Sequence, residues 1–198
     1  MNTLLIASTN KGKLREFQEI LNDQTVAFHL PADLGISLHV VEDGVNYAEN
    51  AAKKALAYAQ ASGLITLADD SGLEVEALGG APGLYSARYA PWEGATDADR
   101  RRYLLENLQG KPRPWIARFH CTVAIATPDG QVLFTEGNCP GEIIPEERGT
   151  GGFGYDPIFF IPDRGLTMAE LPAEEKNKIS HRGLAVRAAA PLIEQLTS

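Results

Sequence analysis

Cysteine, surplus basic charge and long apolar runs are all scarce in this chain, and each shortage removes a class of protein. Only two cysteines, Cys121 and Cys139, occur in 198 residues. Two thiols cannot frame a disulfide scaffold, and no His/Cys spacing resembles a zinc site, so reduced thiols are expected. The longest apolar stretches, such as Thr3 to Ala7 and Ile158 to Ile161, fall far short of the roughly 20 residues that a membrane span requires. The chain starts Met1-Asn2-Thr3 and passes directly into a strand-like run. It has neither the basic start nor the long apolar segment of a signal peptide, so no membrane partner and a cytoplasmic location are expected. Lys and Arg total 18 against 26 Asp and Glu, a net charge of −8. Proteins that hold nucleic acid over a broad face draw their affinity from clustered cations on phosphates. No nucleic-acid partner is therefore expected, and any phosphate ligand has to be met locally.

What is present suffices for an independent fold. With 44% hydrophobic residues over this length, the chain buries a core unaided, and a single two-lobed domain over residues 1–198 is the expectation. Thr3 to Ala7 reads as a short buried strand, after which Leu14, Phe17, Ile20 and Leu21 recur at helical spacing. A second helix is predicted from Tyr47 to Ala61, rich in small residues and ended by Gly63. Leu64 to Ala68 reads as a buried strand stopping at an acidic turn, Asp69-Asp70-Ser71-Gly72, with a half-exposed strand from Leu73 to Ala77 beyond it. Thr96-Asp97-Ala98-Asp99 looks like a helix start, and Arg118 to Ile125 with Gln131 to Gly137 reads as a hairpin turned at Pro128-Asp129-Gly130. Four glycines fall within Gly149 to Gly154, and Ser180 is placed to cap a last helix carrying Ala185, Val186, Ala189, Leu192, Ile193 and Leu196.

Four segments carry polar groups in patterns that suit chemistry. Ser8-Thr9-Asn10-Lys11-Gly12-Lys13 joins a strand to a helix, where free amides, hydroxyls and two lysines could surround phosphate oxygens. It lacks the Gly-x-x-x-x-Gly-Lys-[Ser/Thr] pattern of a P-loop, and a capped helix start with solvated lysines satisfies the same amides. Asp69 and Asp70 offer hard oxygen ligands of the kind that suit Mg²⁺ shared with substrate phosphates, although a solvated Asx turn has the same composition. Glu42 or Asp43, before the alanine-rich helix, could add a ligand, and Lys54 within that helix could clamp a phosphate. Gly149 to Asp156 combines flexible backbone, an aromatic face and a carboxylate, which suits a stacked purine as well as it suits a loop closing a sheet. Lys176 and Ser180-His181-Arg182-Gly183 bring two cations and an imidazole near a helix start, and Arg182, always protonated, could donate to a purine 6-oxo group. Cys121 beside His120 is read as a core residue, since strand alternation sends neighbours to opposite faces.

In this order, Ser8 to Lys13, Asp69 to Leu73 continuing through Gly79-Gly80-Ala81-Pro82-Gly83 to Tyr85-Ser86-Ala87-Arg88-Tyr89, Gly149 to Pro157, and Ser180 to Gly183 resemble the inosine triphosphate pyrophosphatase family over nearly the whole chain. The resemblance implies an α/β fold with an elongated mixed β-sheet, flanking helices and two lobes around a central active-site cleft, assembled as a homodimer. It implies Mg²⁺-dependent hydrolysis of ITP, dITP and XTP to the monophosphate and pyrophosphate, which keeps deaminated purines out of DNA and RNA. Carried over to this chain, Asp70 would be the catalytic proton acceptor, with Lys13 and Lys54 neutralising the triphosphate. Glu42, Asp70 and Asp69 would hold the metal. Ser8, Thr9, Asn10, Lys11, Gly12, Lys13 and Ser71 would meet the substrate, and Phe153, Gly154, Tyr155, Asp156, Lys176, His181 and Arg182 would build the base pocket. Arg182 donating to a 6-oxo oxygen and Asp156 accepting from N1–H would fit hypoxanthine and xanthine and leave both groups mismatched against adenine.

Overall fold

A computed structural model describes residues 3–21 and 27–197. The helices begin and end where short-range chemistry dictates. Helix α1 (Lys11–Leu21) starts after Asn10, whose Oδ1 accepts the N–H groups of Gly12 at 2.9 Å and Lys13 at 3.1 Å. The segment is thus a side-chain-capped helix start. Helix α2 (Tyr47–Ser62) is capped by Asn46 and closed by Gly63 at φ +69°, a left-handed conformation that costs glycine nothing. Thr96 and Asp99 form a reciprocal capping box at the start of α3 (Asp97–Leu108). The remaining helices are α4 (Ala173–Ile179) and α5 (His181–Thr197).

Strands β1 (Thr3–Ile6), β2 (Ala27–His29), β3 (Ile65–Val75), β4 (Trp115–Ala126), β5 (Val132–Ile143), β6 (Phe159–Ile161) and β7 (Leu166–Thr167) form one sheet in the order β2-β1-β3-β4-β5-β6-β7. β1 runs parallel to β2 and β3, whereas β5, β6 and β7 are successively antiparallel. The fold is therefore α/β with a mixed sheet and flanking helices. One expectation is overturned: Asp69 to Gly72 is no turn. β3 runs without a break from Ile65 to Val75, carrying both aspartates through its interior. Turn composition is a local preference, and here buried partners for each carboxylate outweigh it.

The described residues divide into two compact units. The first contains residues 1–70, 121–137 and 182–198. Its strands are covered on one face by α1 and α5, where Leu4, Ile6, Leu67, Cys121 and Val123 pack with Phe17, Leu21, Ala185 and Val186. The other face carries α2, where Leu5, Ala7, Ala68 and Ala124 meet Ala51, Ala55, Tyr58 and Ala59. Successive residues of β3 thus face different helices, Leu67 toward α1 and α5 and Ala68 toward α2, as strand geometry requires. The second unit, residues 71–120 and 138–181, has its own core of Leu73, Val75, Leu104, Leu108, Phe119, Tyr155, Ile158 and Phe159.

Alanine lets α2 lie close to the sheet, and Ala51 and Ala55 are wholly buried. Ala55→Leu is expected to lower unfolding free energy by about 1–3 kcal/mol through overpacking, read as a shift in the urea midpoint at unchanged slope. A neutral result would show slack at this contact.

Candidate active site

In the first unit the alternation of β3 decides which helix each acidic side chain meets. Asp69 follows Leu67 onto the α1/α5 face and is 1% exposed. Its Oδ2 pairs with Lys13 Nζ at 2.9 Å and accepts from Arg182 Nη2 at 3.0 Å and Nε at 3.2 Å. Arg182 Nη1 donates to Glu16 Oε2 at 2.5 Å, so two cations and two carboxylates form a charge-balanced cluster, buried but for the half-buried Lys13. Burial pushes the Asp69 carboxyl up, but Lys13, Arg182 and Lys54 outweigh it and hold the group well below the usual carboxylate range. The adjacent Cys121 thiol, with its Sγ 3.8 Å from Asp69, is pushed far up by burial and by that carboxylate, and is a core group.

Asp70 follows Ala68 onto the α2 face. It is largely buried and accepts from Asn50 Nδ2 at 3.0 Å, while Asn50 Oδ1 accepts the Gly44 N–H at 2.8 Å. Burial raises this carboxyl above its ordinary value. The Asn50 hydrogen bond and the charges of Lys54 and Lys13 oppose the rise, and Glu42 adds to it. Glu42 pairs with Lys54 at 3.1 Å, whereas Asp43 is paired with Lys53. Of the two candidates before α2, Glu42 is the one whose charge reaches Asp70.

These positions revise several expectations. Asp69 leaves the metal set, because its carboxylate is directed to Lys13 and Arg182 on the face opposite Asp70. Among the described residues no cluster of three or more His, Cys, Asp or Glu could hold a metal by itself. Asp70 and Glu42 remain, two oxygen donors whose mutual repulsion a cation would relieve. That donor set fits Mg²⁺, which takes most of its ligands from water and phosphate. Arg182 is redirected as well. It is 1% exposed, and each of its three guanidinium nitrogens donates to Asp69 or Glu16, so these bonds serve carboxylates. Thr9, Asn10 and Lys11 are exposed, Ser8, Gly12 and Lys13 half-buried.

The second unit holds Ser71, half-buried, and the predicted base-pocket residues other than Arg182. Asp156 Oδ2 accepts the Phe153 N–H at 2.8 Å and Lys176 Nζ at 2.7 Å, and the ammonium lies 5.1 Å from the Phe153 ring centroid. A Cβ on Gly152, at φ +69°, would fall 2.0 Å from Asp156 Oδ2, so only glycine fits. Tyr155 is corrected to a core residue: it is buried, and its hydroxyl donates to the Ser86 carbonyl at 2.8 Å. His181 lies flat against Phe119, centroids 4.7 Å apart. Sequence reasoning missed Asn50 and Glu16. Both had a faint signal: Asn50 precedes Lys54 by one helical turn, and Glu16 shares the buried stripe of α1 with Phe17.

Fold and site together define an α/β protein that concentrates lysines and carboxylates on both faces of one buried strand. The chain belongs to the Ham1 family, whose family model matches residues 4–192. It is 50% identical over 193 residues to a dITP/XTP pyrophosphatase of Desulfotalea psychrophila, covering 96% of this chain and 86% of that protein. It is 48% identical over 188 residues to a dITP/XTP pyrophosphatase of Listeria monocytogenes, covering 94% and 92%. The solved structure of a HAM1 protein from Coxiella burnetii superposes with a TM-score of 0.89 at 41% identity, covering 98% of this chain and all of that one. The Staphylococcus aureus Ham1 protein gives 0.86 at 38% identity over the same shares.

Asp69→Asn is expected to cost about 3–5 kcal/mol of stability, since it strands the buried Arg182 guanidinium and removes the partner of the half-buried Lys13; denaturant unfolding at neutral pH measures it. The native Asp69 is held below its unfolded value, so its contribution is complete above the ordinary carboxylate range and is lost as pH falls beneath it. The variant should therefore lose less stability than the wild type on acidification, and parallel curves would remove Asp69 from this role.

Proposed function

We propose that the protein hydrolyses the triphosphates of deaminated purines, ITP, dITP and XTP, between the α- and β-phosphates, releasing the monophosphate and pyrophosphate. The observation that carries this reading is the separation of two neighbouring carboxylates of β3, Asp69 onto Lys13 and Arg182 and Asp70 onto Asn50 beside the Glu42–Lys54 pair. Groups driven apart in this way take different chemical tasks. Asp70 accepts the proton of the attacking water as the new P–O bond forms and the α–β bridging bond breaks. Asn50 fixes the orientation of Asp70.

Asp70 and Glu42 would hold Mg²⁺, which neutralises phosphate charge and polarises phosphoryl oxygens when bound. Lys13 and Lys54, each partly exposed, serve the triphosphate: an ammonium has three donors, and a carboxylate partner leaves others for phosphate oxygens. Asn10 caps α1 and so sets the position of Lys13. In the second unit, Lys176 serves the base-reading role, since it is the cation beside Phe153 and Asp156. Donation to a 6-oxo oxygen discriminates against adenine, whose amino group would leave the buried donor unmatched. The names of the relatives support this substrate class. A homodimer and a cytoplasmic setting belong to the same reading, and no described helix is long and apolar enough to cross a membrane.

Incubation with Mg²⁺ and ITP, XTP, GTP, ATP, dTTP and modified pyrimidine triphosphates, with product identification, tests the reading. Monophosphate and pyrophosphate from ITP and XTP are expected. A preference for other bases would place the protein nearer the septum-inhibitor type of nucleotide pyrophosphatase, and tight binding without turnover would make it a nucleotide sensor. Asp70→Asn should lower kcat by about 10²- to 10⁴-fold with a smaller change in KM; near-normal turnover would take the base role from Asp70.

A further inference from the structure

Within the second unit, the glycine-rich segment before Asp156 is gripped from outside by two residues of α3. Asp97 Oδ2 accepts the Gly154 N–H at 2.8 Å, and Arg101 Nη1 donates to the Gly154 carbonyl at 2.8 Å. The two side chains lie one helical turn apart, hence on one face of α3, and they hold both hydrogen-bonding groups of a single residue. Arg101 does more. Its Nε and Nη2 reach Glu147 Oε1 and Oε2 at 2.8 and 2.9 Å, so one planar guanidinium bridges the residue that leads into the loop and a residue near its end. A fork with a bidentate carboxylate on one side and a further donor on the other is a task for arginine and not for lysine.

Asp97 is itself held. Arg100 donates to its other oxygen, and Asp97 stands in the first turn of α3, where a negative charge is favoured by the helix dipole. Burial pushes its carboxyl up, but the Arg100 and Gly154 hydrogen bonds together with the neighbouring arginines bring it below the ordinary value. Gly154 sits at φ +62°, directly after Phe153. Its conformation sets where the Phe153 ring lies and where the Phe153 N–H meets Asp156. The remainder of the loop is fixed by Gly151 N–H on the Ala169 carbonyl and by the close approach of Gly149 to the same residue. Gly154 itself is held by α3.

We infer that Asp97 and Arg101 are positioning residues for base recognition, clamping Gly154 so that Phe153, Asp156 and Lys176 present one fixed surface to the purine. This rests on the function proposed above. The acceptor on residue 97 and the fork on residue 101 are what count, and this separates the clamp from a general contribution to stability. Asn at position 97 keeps an acceptor oxygen, Ala does not, and Lys at 101 keeps a charge without the fork.

Two measurements on the full chain test it, with Asp97→Ala, Asp97→Asn and Arg101→Lys compared against wild type at equal, verified foldedness. Amide hydrogen exchange reads the clamp itself: exchange over residues 153–156 should accelerate about tenfold or more in Asp97→Ala and Arg101→Lys, and less in Asp97→Asn. Steady-state kinetics read the consequence: KM for ITP should rise about tenfold in the same two variants, as expected for a lost charged hydrogen bond. In those variants kcat should change little and the ITP-over-ATP preference should narrow, with Asp97→Asn restoring most of it. Unchanged exchange would overturn the clamp. Faster exchange with unaltered KM and preference, or a fall in kcat alone, would overturn the role in recognition. A wild type that cleaves none of the triphosphates would refute the functional reading, and with it the role in recognition, while the exchange data would still decide the clamp.

Discussion

Much of the first unit's polar architecture follows from one requirement, that Asp69 remain ionised where water is excluded. A lone buried carboxylate is prohibitively costly, and a single cation would leave its lone pairs under-satisfied. Lys13 and Arg182 converge on one oxygen of Asp69, and Arg182, the largest wholly buried side chain, needs Glu16 to finish its own hydrogen bonding. The cluster ties α1, β3 and α5 together through charged groups that pair with one another. Such a cluster contributes less to net stability than a well-packed apolar core of equal volume would. What it supplies is position: the Lys13 ammonium has one place to be, at a helix start already fixed by Asn10.

The period of a β-strand turns that constraint into chemistry. Because consecutive side chains leave β3 on opposite faces, two adjacent aspartates reach different surroundings without any special backbone. Asp69 meets cations on the α1/α5 face, and Asp70 meets an amide and the edge of a Glu42–Lys54 pair on the α2 face. Their acidities are driven in opposite directions by environment alone. A turn at these residues, as the composition suggested, would have solvated both and left them alike.

That misreading shows what the sequence makes legible and what it does not. Helix starts and stops were readable because their causes lie within four residues: Asn46 with Glu49, Thr96 with Asp99, Gly63 at the end of α2. The strands of the hairpin and the buried β1 were readable from their apolar pattern. The lysines and carboxylates of the site were readable as types. Their pairings were not. Arg182 lies 113 residues from Asp69 and 166 from Glu16, and no local rule could tell a guanidinium destined for a base from one destined for a carboxylate. Asp-Asp-Ser-Gly reads as a turn for the same reason, since the partners that make it tolerable in a strand come from distant helices.

The glycines of residues 149–154 carry the same lesson in the second unit. Their abundance suggested a flexible backbone, yet at least two are dictated by close approach. Gly149 lies against the backbone of Ala169 and Gly152 against the carboxylate of Asp156, where any Cβ would collide. Asp156 accepts from Lys176 and from the Phe153 N–H, so a lysine and a main-chain donor both meet its carboxylate. Because a main-chain donor is among its partners, the loop conformation and the Asp156 carboxylate are coupled: moving the loop removes the Phe153 N–H from it. Glycine here secures a single conformation by permitting contacts that no other residue allows, so the loop's composition reports constraint.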